Sequence, residues 1–127
     1  MSTESVKKVL IIEDEQDLRE ALKTVISYEN FEAHTASDGE EGLRLALEIK
    51  PDLILLDLMM PKLDGLGVLR ALREDSWGKN VNVIVMTALD DLEKVAEVVE
   101  FGGTEYIVKS NISLGAVVAK VKEKLKD

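Results

Sequence analysis

Two spacings of apolar residues alternate along this chain. Runs of consecutive aliphatic residues, such as Val9-Leu10-Ile11-Ile12 and Leu53-Ile54-Leu55-Leu56, suit strands buried on both faces. Between the runs, aliphatic residues recur every three or four positions, the period of a helix packed along one side. The first run predicts a strand over 6–12. Leu18, Ala21, Leu22, Val25 and Ile26 then predict a helix ending near Tyr28. A short strand over 31–35 precedes Ser37-Asp38-Gly39-Glu40, whose capping-box spacing opens a helix with Leu43, Ala46 and Leu47 inward. Lys50-Pro51 stops it, because a residue before proline is pushed out of the helical region.

A third strand covers 53–57. Pro61-Lys62-Leu63-Asp64-Gly65 has strong turn chemistry, and a third helix over 65–74 carries Leu66, Leu69 and Leu72 on one side. Trp77-Gly78-Lys79-Asn80 connects to a fourth strand over 82–86 that ends at Thr87. Asp90 can cap a fourth helix with Leu92, Val95, Ala96 and Val99 inward, and Gly102-Gly103 ends it. A fifth strand over 104–108 runs into Lys109. Ser113 can cap a last helix with Leu114, Val117, Val118, Val121 and Leu125 inward.

Strand and helix thus alternate five times with short connections. That order predicts an α/β fold, a five-stranded doubly wound parallel sheet covered on both faces by five helices, with right-handed crossovers. No linker, internal repeat or low-complexity stretch interrupts it, so 1–127 is expected to form a single domain.

Composition narrows the function classes. Hydrophobic residues make up 46% of the 127, enough for a packed core. There is no cysteine, which excludes disulfides and thiolate metal sites. No apolar stretch is long enough to span a bilayer, and Met1-Ser2-Thr3-Glu4-Ser5 is unlike a signal peptide. A cytoplasmic protein without membrane insertion is therefore expected. The net charge of −9 argues against direct binding of nucleic acid, which calls for a basic surface. The single His34 falls in a strand and has no second histidine to share a metal with, so a structural role is expected of it.

The chemistry collects where the strands end. Strand 1 runs into Glu13 and Asp14, strand 3 ends in Asp57, strand 4 in Thr87, and strand 5 is followed by Lys109. In a doubly wound sheet these carboxyl ends share one edge, the edge at which such folds bind ligands. Asp57 taken alone could simply end a strand. Three carboxylates brought together repel, however, and some hold protons unless a cation intervenes. Mg²⁺ typically takes one or two carboxylates plus water and phosphate oxygens. Lys109 adds a point charge and Thr87 a hydroxyl donor. The set suits phosphoryl transfer with Asp57 as nucleophile.

Ile11-Ile12-Glu13-Asp14-Glu15, Leu55-Leu56-Asp57-Leu58-Met59-Met60-Pro61, Asp64-Gly65, Thr87-Ala88 and Tyr106 three residues before Lys109 carry a family resemblance. The chain resembles, over essentially its whole length, the receiver domain of bacterial two-component response regulators, in the single-domain form used in chemotaxis. The resemblance implies a flavodoxin-like strand order 2-1-3-4-5. It implies a phosphoacceptor in signal transduction, not an enzyme with a separate substrate, although one that catalyses its own phosphorylation and dephosphorylation. Asp57 would accept a phosphoryl group from a phosphohistidine of a histidine kinase or phosphotransfer protein. Asp14, Asp57 and the backbone carbonyl of Met59 would hold Mg²⁺, with Glu13 acting through an intervening water. Lys109 and Thr87 would bind the phosphoryl oxygens. Thr87 and Tyr106 would form a switch pair, and the face made by helix 4, strand 5 and helix 5 would engage a downstream protein target.

Two departures from the family stand out. Glu13 replaces the frequent aspartate. Lys109 is followed by Ser110 where the family usually has a proline after a cis bond, and a cis bond before a non-proline residue costs about 2.5–4 kcal/mol. A trans Lys109–Ser110 bond is therefore expected. Rival functions fit less well. A haloacid-dehalogenase-type enzyme needs an acid two residues after its nucleophile, where this chain has Met59. A flavodoxin-like flavin carrier needs a hydroxyl- and glycine-rich first loop, where this chain has Glu13-Asp14-Glu15. A receiver-like interaction module that is no longer phosphorylated is the third alternative, opposed by the full set of site residues. With no output domain expected after Asp127, phosphorylation would act through a changed surface, or the chain would be a piece of a larger regulator or hybrid kinase.

Overall fold

The computed structural model describes residues 6–60, 62–87, 92–103, 105–109 and 113–126. Among them five strands, β1 (Lys8–Ile12), β2 (Glu32–Ala36), β3 (Leu53–Asp57), β4 (Asn82–Thr87) and β5 (Glu105–Val108), alternate with five helices. The helices are α1 (Gln16–Tyr28), α2 (Gly39–Ile49), α3 (Gly65–Glu74), α4 (Leu92–Glu100) and α5 (Leu114–Leu125). A 3₁₀ turn, Gly78–Asn80, precedes β4. All strand pairings are parallel and the order is β2-β1-β3-β4-β5, as expected from the sequence.

The aliphatic runs behave as strands buried on both faces. Leu10, Ile12, Ile54, Leu56, Val83 and Val85 point to one side, where they meet Ala46 of α2, Leu69 and Leu72 of α3 and Val98 of α4. Val9, Ile11, Leu53, Leu55, Ile84 and Met86 point to the other, against Leu22 and Ile26 of α1 and Val117, Val121 and Leu125 of α5. Successive side chains of a strand alternate faces, so each run feeds both layers of core.

Three local expectations need correction. The cap of α2 is Asp38, not Ser37. Its side chain accepts from the Glu41 amide at 2.8 Å, and the Glu41 carboxylate in turn accepts from the Ser37 amide at 2.8 Å, so the reciprocal cap sits one residue later. Leu47 of α2 is exposed, while Leu43 and Leu45 border the core. In α4, Ala96 and Val99 face solvent and Val98 is the buried residue. A nine-residue helix supplies too few turns for spacing alone to fix which side packs. Asp64 and Ser113 do cap α3 and α5, accepting from Gly67 and Ala116 amides at 2.8 and 3.3 Å. Gly102, at φ +86°, ends α4 in the left-handed conformation that a glycine adopts without a Cβ penalty. The Asp90 cap, the start of β5 at Thr104 and the Lys109–Ser110 bond lie outside the described residues, as do the side chains of Leu92 and Val95.

The start of α3 is pressed against the end of β3. The Gly65 amide donates to the Leu58 carbonyl at 2.9 Å. A Cβ at Gly65 would stand 2.5 Å from the Asp57 carbonyl oxygen and 2.7 Å from the Leu58 Cα, both backbone atoms. Gly65→Ala should therefore lower unfolding free energy by about 1–3 kcal/mol, the usual cost of overpacking. Urea denaturation checks this, and a variant as stable as the parent would show that the β3–α3 junction is looser than described.

Candidate functional site

Register decides which strand-end residues meet. Ile12 pairs with Leu56, so the next residues, Glu13 and Asp57, leave neighbouring strands side by side. Asp57 pairs with Met86, which places Thr87 one step beyond it on β4. Thr87 pairs with Val108, and Lys109 follows. The two innermost carboxylates are sealed from water, Glu13 at 0% and Asp57 at 1% exposure, and Thr87 is buried beside them. Asp14, the next residue after Glu13, is exposed at the rim. One carboxylate oxygen from each of Glu13, Asp14 and Asp57 lies within 4.8 Å of the other two.

Lys109 reaches across from β5. Its Nζ lies 3.4 Å from Asp57 Oδ2, to which it donates, and 3.4 Å from Glu13 Oε1. Asp57 Oδ1 accepts from the Met59 amide at 3.2 Å, so the loop after β3 turns back over the carboxylate while the Met59 side chain faces solvent. Glu13 Oε2 accepts from the Glu15 amide at 3.0 Å. Among the described residues Glu13 Oε1 is buried with no hydrogen-bond partner, with the Lys109 ammonium at ion-pair distance. A buried polar oxygen left in that condition is costly and marks a place where a further donor or cation belongs.

Burial, followed by the neighbouring Glu13 charge, pushes the Asp57 carboxyl up to about 7, with Lys109 pulling the other way. Burial also works against the Lys109 ammonium, but Asp57 and Glu13 outweigh it and hold its pKa above the ordinary lysine value. The seven residues singled out in the sequence fall into two groups. Glu13, Asp14, Asp57, Met59, Thr87 and Lys109 gather at one edge. Tyr106 stands apart on β5, in register with Val85 and 46% exposed.

Sequence reasoning passed over Arg19. From the first turns of α1 its Nη1 donates to the Glu13 carbonyl at 3.0 Å and lies 3.4 Å from the Asp14 carbonyl. The signal in the sequence is an arginine five residues after Asp14, in the second turn of the helix that follows it. His34 Nε2 lies 2.6 Å from Glu32 Oε2 on edge strand β2.

The model of the response regulator receiver domain family matches residues 9–122. A protein named "Probable transcriptional regulator ycf27", from Guillardia theta, is 44% identical over 106 residues, which is 84% of this chain and 41% of that protein. This chain thus spans about two fifths of the length of that relative. Among solved structures, the Francisella response regulator 1452 receiver domain is 31% identical with a TM-score of 0.84, over 93% of this chain and 95% of that one. Vibrio cholerae chemotaxis protein CheY4 is 26% identical with a TM-score of 0.88, over 95% of this chain and all (100%) of that one.

The Asp57 shift has a consequence for stability. A carboxyl whose folded pKa of about 7 lies above the unfolded 3.8 binds its proton more tightly in the folded state. Its contribution is present below the unfolded pKa and is lost as pH rises toward 7. In metal-free buffer, Asp57→Asn should be stabilised relative to the parent at pH 8, with the difference shrinking toward pH 4. Urea midpoints across that range measure it, and a pH-independent difference would mean that Asp57 is ionised throughout.

Proposed function

Because this chain belongs to the response regulator receiver domain family, we propose that Asp57 is its phosphoacceptor, charged from the phosphohistidine of a histidine kinase or phosphotransfer protein. An Asp57 carboxylate oxygen forms the new P–O bond as the P–N bond to the donor imidazole breaks, and the leaving nitrogen keeps the electron pair. The observation that carries this assignment is the burial of Asp57 against Lys109 on one side and Glu13, with its unpartnered oxygen, on the other.

The residues present fit a divalent ion. Carboxylate oxygens of Glu13, Asp14 and Asp57 lie within 4.8 Å of one another, and hard oxygen donors of this kind are the ones that Mg²⁺ takes. Asp14, Asp57 and the Met59 carbonyl would hold it, and Glu13 would reach it through water. When bound, Mg²⁺ supplies positive charge to the carboxylates and to the incoming phosphoryl oxygens. Lys109, which lies between Glu13 and Asp57, would bind a phosphoryl oxygen. Thr87 supplies a hydroxyl from β4. Its movement toward the phosphoryl group would open the space into which the outward Tyr106 ring turns. The face of α4, β5 and α5 would then change for a downstream protein. Exposed Val99 and Tyr106 lie on that face. Among the described residues no helix is long and apolar enough to cross a membrane, in keeping with the proposed cytoplasmic setting.

Incubation with Mg²⁺ and acetyl phosphate or phosphoramidate should yield a labile acyl phosphate that Asp57→Asn abolishes. Peptide mapping decides the point, since label on another residue refutes the assignment and no label favours an interaction module that is not phosphorylated.

Trp77 gives an independent check on topology. It shares a hollow with Pro51, Asp52 and Asn82, at the amino ends of β3 and β4. The length of β3, about 13 Å at 3.3 Å per residue, separates that end from Asp57. Trp77 fluorescence should therefore barely change on Mg²⁺ titration, and strong quenching that disappears in Asp14→Ala would mean that the topology or the site is misplaced.

A further inference from the structure

We infer that Arg19 is a positioning residue for the acidic loop, fixing the peptide units on both sides of Asp14 so that its carboxylate is held toward Asp57. The inference rests on the proposed cation site of Glu13, Asp14 and Asp57 and adds the element that shapes it.

The acidic loop is aimed by contacts at its backbone. Glu13 is sealed in the pocket, and its amide is held by the Ala36 carbonyl at 3.1 Å, which ties the loop to the end of β2. The peptide unit between Glu13 and Asp14 is held at its carbonyl by Arg19 Nη1 at 3.0 Å. The unit between Asp14 and Glu15 is held at both ends, its carbonyl 3.4 Å from the same Nη1 and its amide donating to Glu13 Oε2 at 3.0 Å. Asp14 itself is exposed, so the orientation of its side chain depends on these two planes. Glu15, the residue before α1, makes no side-chain cap bond to the helix. The helix start therefore offers no cap bond of its own to fix the loop, and Arg19 supplies the hold from within the helix. Its own amide bonds the Glu15 carbonyl at 2.9 Å, which sets the distance over which the side chain reaches back.

The planar guanidinium suits this task because one nitrogen can serve two carbonyls while the charge faces their oxygens. The pull of charge and the pull of geometry have opposite signs here. A cation near the loop repels a divalent ion, so removing a plain surface charge should tighten metal binding. Removing a positioning residue should weaken it, by about tenfold for groups that orient metal ligands.

The probe is Mg²⁺ itself, titrated calorimetrically into the parent chain, Arg19→Lys, Arg19→Gln and, as a charge control, Lys23→Gln. Lys23 is exposed on α1 outside the contact. Arg19→Lys, which keeps the charge on a shorter side chain that no longer carries a nitrogen to both carbonyls, should bind about tenfold more weakly, and Arg19→Gln should be weakened as well. Lys23→Gln should bind as well as the parent or better. In metal-free protein, hydrogen exchange of the Glu15 amide should speed up in Arg19→Lys while the urea midpoint stays close to that of the parent. Parental affinity in Arg19→Lys, or tighter binding in Arg19→Gln, overturns the inference. A parent chain that binds no Mg²⁺ overturns the cation site itself, a distinct failure.

Discussion

Two carboxylates and one ammonium share a pocket closed to water at the carboxyl edge of the sheet. Lys109 stands 3.4 Å from both Glu13 and Asp57, and one positive charge cannot neutralise two negative ones. The imbalance is visible in the Asp57 carboxyl, raised to about 7 first by burial and then by Glu13. With Asp14 at the rim, three carboxyl groups face the Lys109 ammonium among the described residues, an excess of negative charge that a divalent cation would offset. Stability and proposed activity conflict here, because a buried charge without full compensation lowers the one while equipping the site for the other.

That pocket exists only because five strands hold their register. A slip of one residue between β1 and β3 would turn Glu13 or Asp57 to the opposite face of the sheet. Such a slip would also move Ile11, Ile12, Leu55 and Leu56 between the two cores, each of which is fully packed. The strong apolar runs therefore stabilise the fold and, by the same contacts, align the polar site.

The helices differ in how firmly they are held. The carboxyl end of α4 is gripped by α3, since Arg73 donates to the Gly102 carbonyl at 2.6 Å from Nη2 and 3.1 Å from Nε, and to the Gly78 carbonyl at 2.6 Å from Nη1. Arg70 lies over the Phe101 ring, 4.6 Å from its centroid. Along the same helix Ala96 and Val99 face solvent.

What the sequence determined by itself was the order of elements and the chemistry of their ends. Consecutive aliphatic residues bury on both faces whatever their neighbours, so β1, β3 and β4 were legible, as were the residues that follow them. The receiver-family resemblance supplied the strand order, which local spacing does not contain. Tertiary structure decided what depends on competition between neighbours. Asp38 displaced Ser37 as the cap of α2 because the Glu41 carboxylate could close onto the preceding amide. Val98, not Val99, turned inward because α4 is short and the space beside Val85 and α3 selects its face. Arg19 was unreadable as a loop brace, because an arginine on a helix surface acquires that role only when two carbonyls outside the helix come within its reach.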